Sequence, residues 1–318
     1  MKPDAFDATR YADFLQRMQS NCGRVIFGKE EAVTQLVICL LAGGNALLED
    51  VPGTGKTMLL RAFAKSLGGQ FRRVQFTPDL LPSDLTGIHF YNQKTGEFEF
   101  RPGPLFANFV LADELNRATP RSQSALLEVM EERQITVDGV TFPLESPYMV
   151  MATQNPVESY GVFPLPEAQL DRFFLRLSLG YPSREDELSV LRRRDVRDIL
   201  EELEPVAGAE ELSDLQRGYA AVKVSDEVAG YLLDIVARTR THELLSLGVS
   251  TRGALALCHA AQLRAALQGR DFVIPEDVKA EALFVLPHRI VLSGRSHLDA
   301  EGFLRRVLDE TPVPLDRP

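Results

Sequence analysis

The chain has 318 residues, of which 45% are apolar and 25% are charged, and its formal net charge is −10. This composition is typical of a soluble globular protein with roughly two domains. An acidic chain has no general attraction for phosphate backbones or anionic lipid, so we expect no nucleic-acid partner.

The N-terminal residues 1–21 are mostly polar and contain one predicted helix over 11–18. The apolar turn 25–28 follows, and apolar residues at helical spacing predict a second helix over 31–42. The turn comes shortly before a candidate nucleotide-binding strand. Its residue Ile26 can therefore line an adenine pocket, or it can belong to the protein core, and the sequence leaves both interpretations open.

A glycine loop lies between the apolar strand 46–48 and a helical pattern over 58–67. The loop consists of Gly53, Thr54, Gly55, Lys56 and Thr57. Strand, glycine loop and helix is the order that a phosphate-binding loop requires. The glycines can turn successive N–H groups into one concavity, Lys56 can reach the β- and γ-phosphates, and the Thr57 hydroxyl can bind Mg²⁺. The general pattern has glycine at the loop entrance, where this chain has Asp50.

Alternating elements continue after the loop. Strands are predicted over 71–77, 109–112 and 148–152, and a helix over 123–130. Two β-hairpins are also predicted, at 88–100 around a glycine turn and at 135–142 around the type I′ dipeptide Asp138-Gly139. The run 109–112 is apolar on both faces, which suits a central parallel strand.

The pattern changes after residue 182, where helices are predicted and no convincing strand is found. The predicted helices span 185–194, 195–203, 210–222, 226–241, 251–268 and 275–286. We therefore predict the α/β fold class. A parallel-sheet ATPase core with β-hairpin insertions, residues 1–182, would be followed by a smaller all-helical lid domain, residues 183–318.

Two adjacent acids, Asp113 and Glu114, end the predicted central strand, at the edge of an α/β sheet where ligands bind. Asp113 can hold Mg²⁺, and Glu114 can polarise a water for attack on a γ-phosphate. Asn155 ends the next strand and can hydrogen-bond both the γ-phosphate and the attacking water. The upstream glycine loop favours this interpretation over a simple helix cap.

Two arginines are candidates for sensing the γ-phosphate. Arg172 lies near the end of the sheet region and Arg252 opens a lid helix. We expect Arg172 to act across a subunit boundary and Arg252 to act from the lid. Each can alternatively be an ordinary surface cation.

Several motifs in this order resemble those of AAA+ ATPases, and within that group the chain is similar to the MoxR family. The motifs are LLEDVPGTGKT (47–57), FTPDLLPSDLTG (76–87), LADELNRATPRSQSALLEVMEERQITVDG (111–139), ATQNP (152–156), LPEAQLDRF (165–173) and STRGALAL (250–257). Members of this family also have an acid like Asp50 at the loop entrance.

The resemblance implies a role for each candidate residue. These roles are Walker A for Lys56 and Thr57, Walker B for Asp113 and Glu114, sensor 1 for Asn155, arginine finger for Arg172 and sensor 2 for Arg252. It also implies a ring, usually a homo-hexamer, with ATP at each subunit boundary. The 88–100 hairpin matches the family's insertion in its second helix, and the 135–142 hairpin matches its pre-sensor hairpin. Such proteins are chaperone-like and act with partners that carry a von Willebrand factor A domain.

We therefore predict a Mg²⁺-dependent ATPase that remodels or activates a partner protein. The alternatives are a DNA-directed motor, which the acidic charge disfavours, a small-molecule kinase, and a scaffold that binds ATP but barely hydrolyses it. A cytoplasmic location is expected. The widely spaced Cys22, Cys39 and Cys258 predict no disulfide framework or metal site, and the N-terminus lacks a secretion signal. No apolar run approaches the roughly 20 residues that cross a bilayer, so we expect no membrane insertion.

Overall fold

The structure is a computed structural model that describes residues 6–50, 53–154, 161–192, 196–294 and 298–314. The strands are β1 (Ala46–Glu49), β2 (Phe71–Gln75), β3 (Gly87–Asn92), β4 (Glu97–Pro102), β5 (Phe109–Asp113), β6 (Gln134–Val137), β7 (Val140–Pro143), β8 (Met149–Gln154), β9 (Leu175–Leu177), β10 (Leu245–Leu247) and β11 (Val291–Leu292). The helices are α1 (Ala8–Gly23), α2 (Glu30–Leu41), α3 (Lys56–Ser66), α4 (Pro82–Thr86), α5 (Pro120–Glu132), α6 (Glu167–Leu170), α7 (Arg184–Arg192), α8 (Val196–Glu201), α9 (Ala209–Gly218), α10 (Asp226–Thr241), α11 (Thr251–Leu267), α12 (Pro275–Val285) and α13 (Ala300–Glu310).

The central sheet is parallel and has the strand order β2-β5-β8-β1-β9, which confirms the predicted α/β fold class. Strands β5 and β8 lie inside the sheet, where apolar side chains are buried on both faces. The pairing aligns Gln75 with Asp113 and Glu49 with Gln154. The carboxyl ends of four neighbouring strands therefore meet at one edge of the sheet.

Side chains of successive strand residues enter two hydrophobic clusters, one on each face of the sheet. Leu48 packs in the cluster that contains residues of α1, α2 and α3, whereas Leu47 packs in the cluster that contains residues of α5. The first cluster also includes Leu257 of α11 and Phe303 of α13. One buried core thus joins the sheet region and the C-terminal helices, and a domain boundary at residue 182 stays a prediction.

Both predicted hairpins are present, as β3–β4 and β6–β7. In the second, Val137 pairs with Val140, and Asp138 and Gly139 have φ of 50° and 80°. This is the register and turn geometry predicted from the Asp-Gly dipeptide. The hairpins also contact each other, because Phe100 stacks on Phe142 with ring centroids 4.9 Å apart.

The C-terminal region is mainly helical, with three differences from the sequence prediction. Helix α13 was not predicted, and the predicted helix 210–222 ends at Gly218 before a 3₁₀ turn. Strands β10 and β11 form an antiparallel pair, so the expectation of no strand there was wrong. Strands of two or three residues are too short to leave a periodic pattern. Among the described helices, none combines the length and the apolar character needed to cross a lipid bilayer.

Candidate active site

The glycine loop connects the end of β1 to the start of α3. Gly53 and Gly55 have φ of 87° and 86°, a left-handed conformation that side chains with a Cβ rarely adopt. Thr54 between them is buried. A Cβ added to Gly55 would lie 3.0 Å from Cδ1 of Ile26. The loop therefore requires glycine at these positions, and it leads directly into the N-terminus of an eleven-residue helix.

Lys56 is the first residue of α3, and its side chain turns back to the loop entrance. Its Nζ donates a hydrogen bond to the backbone oxygen of Asp50 at 2.8 Å. Thr57 lies in the first turn of the same helix and is half-buried. Both side chains are thus close to the helix N-terminus, which favours an anion through its N–H groups and its dipole.

Ile26 lies against the glycine loop and also packs against the hydrophobic core. The structure therefore confirms the core interpretation. Its role in an adenine pocket stays a prediction.

Asp113, the last residue of β5, is held from two neighbouring strands. Its Oδ2 accepts hydrogen bonds from Nε and Nη2 of Arg73 on β2 at 3.0 and 2.5 Å. Its Oδ1 accepts one from Oγ1 of Thr153 on β8 at 2.6 Å. The carboxylate therefore occupies the edge of the sheet between two strands that are distant in sequence.

Glu114 has a left-handed backbone conformation, with φ of 57° and ψ of 47°. Such a conformation is uncommon for a residue with a Cβ and recurs at functional sites. Its N–H donates to Oγ1 of Thr153 at 2.9 Å, and its Oε2 accepts from Nε2 of Gln75 at 2.8 Å and pairs with Nε of Arg117 at 3.1 Å. The Thr153 hydroxyl thus orients both acids, donating to one and accepting from the backbone of the other.

Sequence reasoning missed Thr153, Arg73 and Gln75. Thr153 stands two residues before the predicted sensor Asn155 in the sequence, and this closeness to a predicted site residue was the signal that could have found it. Arg73 and Gln75 carry no motif of their own. Asn155 lies outside the described residues, so its role stays a prediction.

Arg172 and Arg252 meet at one carboxylate. Nε of Arg172 lies 3.0 Å from Oε2 of Glu131, and Nη2 of Arg252 lies 2.7 Å from Oε1 of the same residue. These three residues and Met130 line a cavity of about 200 Å³. Arg172, predicted to act across a subunit boundary, and Arg252, predicted to act from the lid, therefore lie side by side, and both roles stay predictions. Glu131 was not singled out, because nothing local marks an acid near the end of a helix.

An ion pair between the buried Arg289 and the half-buried Asp171 positions the backbone beside both arginines. Asp171 Oδ1 accepts from Nε of Arg289 at 2.8 Å, and Asp171 Oδ2 accepts from Oγ of Ser250, the N-cap residue of α11, at 2.9 Å. Burial lowers the pKa of Arg289 to about 10, even though Asp171 favours its charged form. A Cβ on Gly253 would lie 2.7 Å from Cδ of Arg289, so a glycine is needed there. The backbone next to Arg172, at Asp171, and the backbone next to Arg252, at Gly253, therefore both pack against the buried guanidinium group of Arg289.

The oxygen donors present suit a magnesium ion that is bound mainly through phosphate. Within the described ranges, no cluster of three or more His, Cys, Asp or Glu residues could hold a metal by itself. Magnesium usually keeps several waters and takes one or two protein oxygens besides those of the substrate phosphates. The Asp113 carboxylate and the Thr57 hydroxyl can supply those oxygens. These residues therefore fit the ion.

A parallel sheet with a glycine loop after one strand and two adjacent acids at the carboxyl end of another is typical of ATPases that bind phosphate through a P-loop. Residues 45–175 match the ATPase family associated with various cellular activities (AAA), and residues 237–310 match the AAA lid domain.

Relatives and a solved structure narrow this class. Chaperone MoxR1 of Mycobacterium tuberculosis is 41% identical over 312 residues, which cover 94% of this chain and 82% of that protein. Protein MoxR of Methylorubrum extorquens is 30% identical, with 99% of each chain covered. The crystal structure of a candidate ATPase from Cytophaga hutchinsonii is similar with a TM-score of 0.90, 36% identity and 97% of each chain covered. The chain belongs to the MoxR family of AAA+ ATPases, and it is an ATPase.

Proposed function

We propose that this protein hydrolyses ATP in the presence of Mg²⁺ as a homo-oligomeric ring, with a hexamer expected, and uses hydrolysis to remodel or activate a partner protein. The observation that carries the proposal is the Thr153 hydroxyl that orients Asp113 and Glu114 at the edge of the sheet. The likeness to Chaperone MoxR1 supports action on a protein. The family resemblance makes a protein with a von Willebrand factor A domain the candidate partner.

The residues of the glycine loop would bind the nucleotide. Backbone N–H groups from Gly53 to Thr57 would hold the phosphates, and Lys56 would exchange the carbonyl of Asp50 for phosphate oxygens. Ile26 would contact the adenine. Thr57 and Asp113 would hold Mg²⁺, which supplies neutralisation of the charge on the β- and γ-phosphates.

Glu114 would orient and polarise the attacking water, and Asn155 would position the same water and the γ-phosphate. In this structure the Glu114 carboxylate is engaged by Gln75 and Arg117. It would therefore have to leave these partners when it turns to the water. No covalent intermediate is needed, because phosphoryl transfer depends mainly on positioning and charge stabilisation.

Arg172 and Arg252 would stabilise charge on the γ-phosphate of a neighbouring subunit. We place Arg252 with Arg172 at this boundary because one carboxylate, that of Glu131, contacts both. A guanidinium binds a phosphate through the same forked geometry with which it binds a carboxylate. Glu131 would thus occupy the arginines until a neighbour's phosphate replaces it.

A DNA-directed motor is the second candidate, because the arrangement of the β3–β4 and β6–β7 hairpins resembles that of helicase-like motors. The net charge of −10 argues against it, and ATP turnover measured with and without DNA decides between the two. A scaffold with negligible hydrolysis is the third candidate, and a measurable basal turnover excludes it.

The test of the main proposal is the Glu114→Gln variant. This change should keep ATP bound and abolish turnover, because it removes the water-polarising charge and leaves the phosphate contacts in place. Glu128→Gln, an exposed position on α5, is the matched control and should behave like wild type. The ATP-locked variant should also retain the partner protein from a native extract. Failure of Glu114→Gln to bind ATP, or normal hydrolysis by it, would overturn the assignment.

A further inference from the structure

We infer that Asp50 couples the glycine loop to residues 179–186, which lead from the central sheet into helix α7, so that nucleotide binding at the loop is transmitted to this segment. Asp50 occupies the position where the general phosphate-loop pattern has glycine. The inference rests on the proposed nucleotide binding and adds a positioning role for one residue of the same site.

Asp50 contacts both the glycine loop and residues 179–186. Its side chain is buried, and Oδ2 accepts hydrogen bonds from the backbone N–H groups of Leu179 at 2.5 Å and Gly180 at 3.2 Å. Its backbone oxygen accepts from Nζ of Lys56 at 2.8 Å. A buried carboxylate is costly unless it accepts such bonds, and charge-assisted bonds are the stronger kind. One residue therefore joins the phosphate-binding lysine to the segment that leaves the sheet.

A lysine holds the same segment from its other side. Nζ of Lys29 donates to the backbone oxygen of Leu179 at 2.6 Å, and it lies 3.4 and 3.5 Å from those of Gly180 and Tyr181. Asp50 thus binds the N–H groups and Lys29 the carbonyl groups of adjoining peptides. Two oppositely charged residues fix this stretch of backbone, although no side chain of the stretch takes part.

The start of α7 continues these contacts. Ser183 caps the helix, with Oγ donating to Oδ2 of Asp186 at 2.7 Å and accepting from the N–H of Asp186 at 3.1 Å. Gly28 has a φ of 63°, and a Cβ there would collide with the Asp186 carboxylate. The turn that contains Gly28 also contains Ile26, which lies against Gly55. Residues 179–186 therefore contact both the loop entrance and the proposed adenine wall.

The chemistry explains why an aspartate suits position 50 better than glycine in this chain. Glycine would give the loop entrance more conformational freedom but would leave the N–H groups of Leu179 and Gly180 without their acceptor. Unsatisfied buried N–H groups are rare because they cost as much as a lost hydrogen bond. Asp50 restricts the backbone at the loop entrance, but its carboxylate accepts hydrogen bonds from the segment and so connects the loop to it.

Hydrogen exchange with and without ADP tests the coupling, and titration with a fluorescent ADP confirms binding in each variant. In wild type, ADP should slow amide exchange in peptides that cover both α3 and residues 179–186, the latter by about tenfold. Asp50→Gly, which restores the general loop pattern, should keep the ADP-dependent protection of α3 and lose that of 179–186. Asp50→Asn should retain protection of both, because its amide oxygen can accept the same two N–H groups.

Glu49→Ala is the matched control. Glu49 precedes Asp50 and also links β1 to β9, through Nη1 of Arg176 at 2.9 Å, but it makes no bond to the 179–180 backbone. This variant should keep the ADP-dependent protection of residues 179–186. If Asp50→Gly fails to fold, Lys29→Met, which removes the carbonyl contacts, should show the same selective loss.

Each outcome decides the inference. Protection of 179–186 by ADP in folded Asp50→Gly, equal to wild type, overturns it and leaves the proposed function standing. The same result in Lys29→Met overturns it if Asp50→Gly does not fold. Absence of any ADP binding by wild type overturns the proposed function, and the coupling falls with it. Loss of 179–186 protection in Glu49→Ala would show that any weakening of the β1–β9 contact suffices, which also refutes a specific role for Asp50.

Discussion

Mixing two variants that we expect to be inactive alone tests whether Arg172 acts on a neighbouring subunit. Arg172→Ala keeps its own Lys56 site and lacks the arginine, whereas Lys56→Ala keeps the arginine and lacks the site. If the proposed ring forms, a boundary is active where the intact Lys56 site of an Arg172→Ala subunit faces the intact Arg172 of a Lys56→Ala subunit. In a random equal mixture this holds for about a quarter of boundaries, because each boundary takes one surface from each of two subunits.

The exposure of Arg172 indicates that a loss of activity in Arg172→Ala would not be caused by a loss of stability. The Arg172–Glu131 pair is partly exposed, with 33% and 36% of the side-chain surfaces accessible. Such a pair contributes at most about 1 kcal/mol, so Arg172→Ala should fold and assemble normally. An arginine that acts in trans contributes roughly 10³–10⁵ in rate. Steady-state ATPase assays should therefore show near-complete loss for each variant alone and recovery to about a quarter of wild type on mixing.

Arg252→Ala extends the same experiment. If Arg252 acts from the same surface as Arg172, its mixture with Lys56→Ala should also recover. If it acts from the lid on its own subunit's nucleotide, that mixture stays inactive, because no subunit then has a complete site. Arg121→Ala, an exposed arginine at the start of α5, is the control and should be active alone. Verified mixed rings of Arg172→Ala and Lys56→Ala that stay inactive would refute action in trans.

Three further measurements address the loop, the core and the hairpins. Lys56→Ala should weaken binding of a fluorescent nucleotide by about tenfold or more, since it removes a charge-assisted contact of roughly 1.5–3 kcal/mol, and unchanged affinity would contradict this. Burial raises the pKa of Glu281 from 4.5 to about 7 despite its ion pair with Arg264. The stability that protonated Glu281 contributes is fully present below pH 4.5 and is lost as the pH rises through about 7. The free energy of unfolding, measured with a denaturant, should therefore fall between these pH values in wild type and fall less in Glu281→Gln. Replacing the turn 93–96 of the β3–β4 hairpin should spare basal ATPase and reduce stimulation by a verified partner, and unchanged stimulation would exclude a partner-facing role.

Features set by local sequence were predicted well. The type I′ turn at Asp138-Gly139 needs positive φ at both residues, so the dipeptide specifies the register of the β6–β7 hairpin. The glycine loop is likewise recognisable, because Gly53 and Gly55 hold conformations that other residues avoid. Strand β9 was missed because three residues carry no period, and its strand conformation depends on pairing with β1.

Partners in the site could not be predicted, because they depend on which strands are neighbours. Thr153 reaches Asp113 only because β8 pairs with β5, and Arg73 reaches it only because β2 pairs with β5 on the other side. Glu131 lies 121 residues before Arg252, and no spacing rule connects them. A single sequence contains no information about such contacts until the strand order and the packing of the helices are known.

The arginine cluster shows how the fold can hold one part of a site rigidly and leave another part able to move. Arg289 is buried against Asp171, so separating them would leave a charge without its partner, which is strongly unfavourable. Its pKa of about 10 keeps it charged at neutral pH, and the backbone beside both Arg172 and Arg252 is therefore fixed. The guanidinium groups themselves are partly exposed, and the ion pair that each forms among the described residues is with the Glu131 carboxylate. Solvent reduces the contribution of such a pair to about 1 kcal/mol or less. In the proposed function a phosphate would replace Glu131 at small cost while the Asp171–Arg289 pair stays in place, which is why we expect the two arginines to act as one unit.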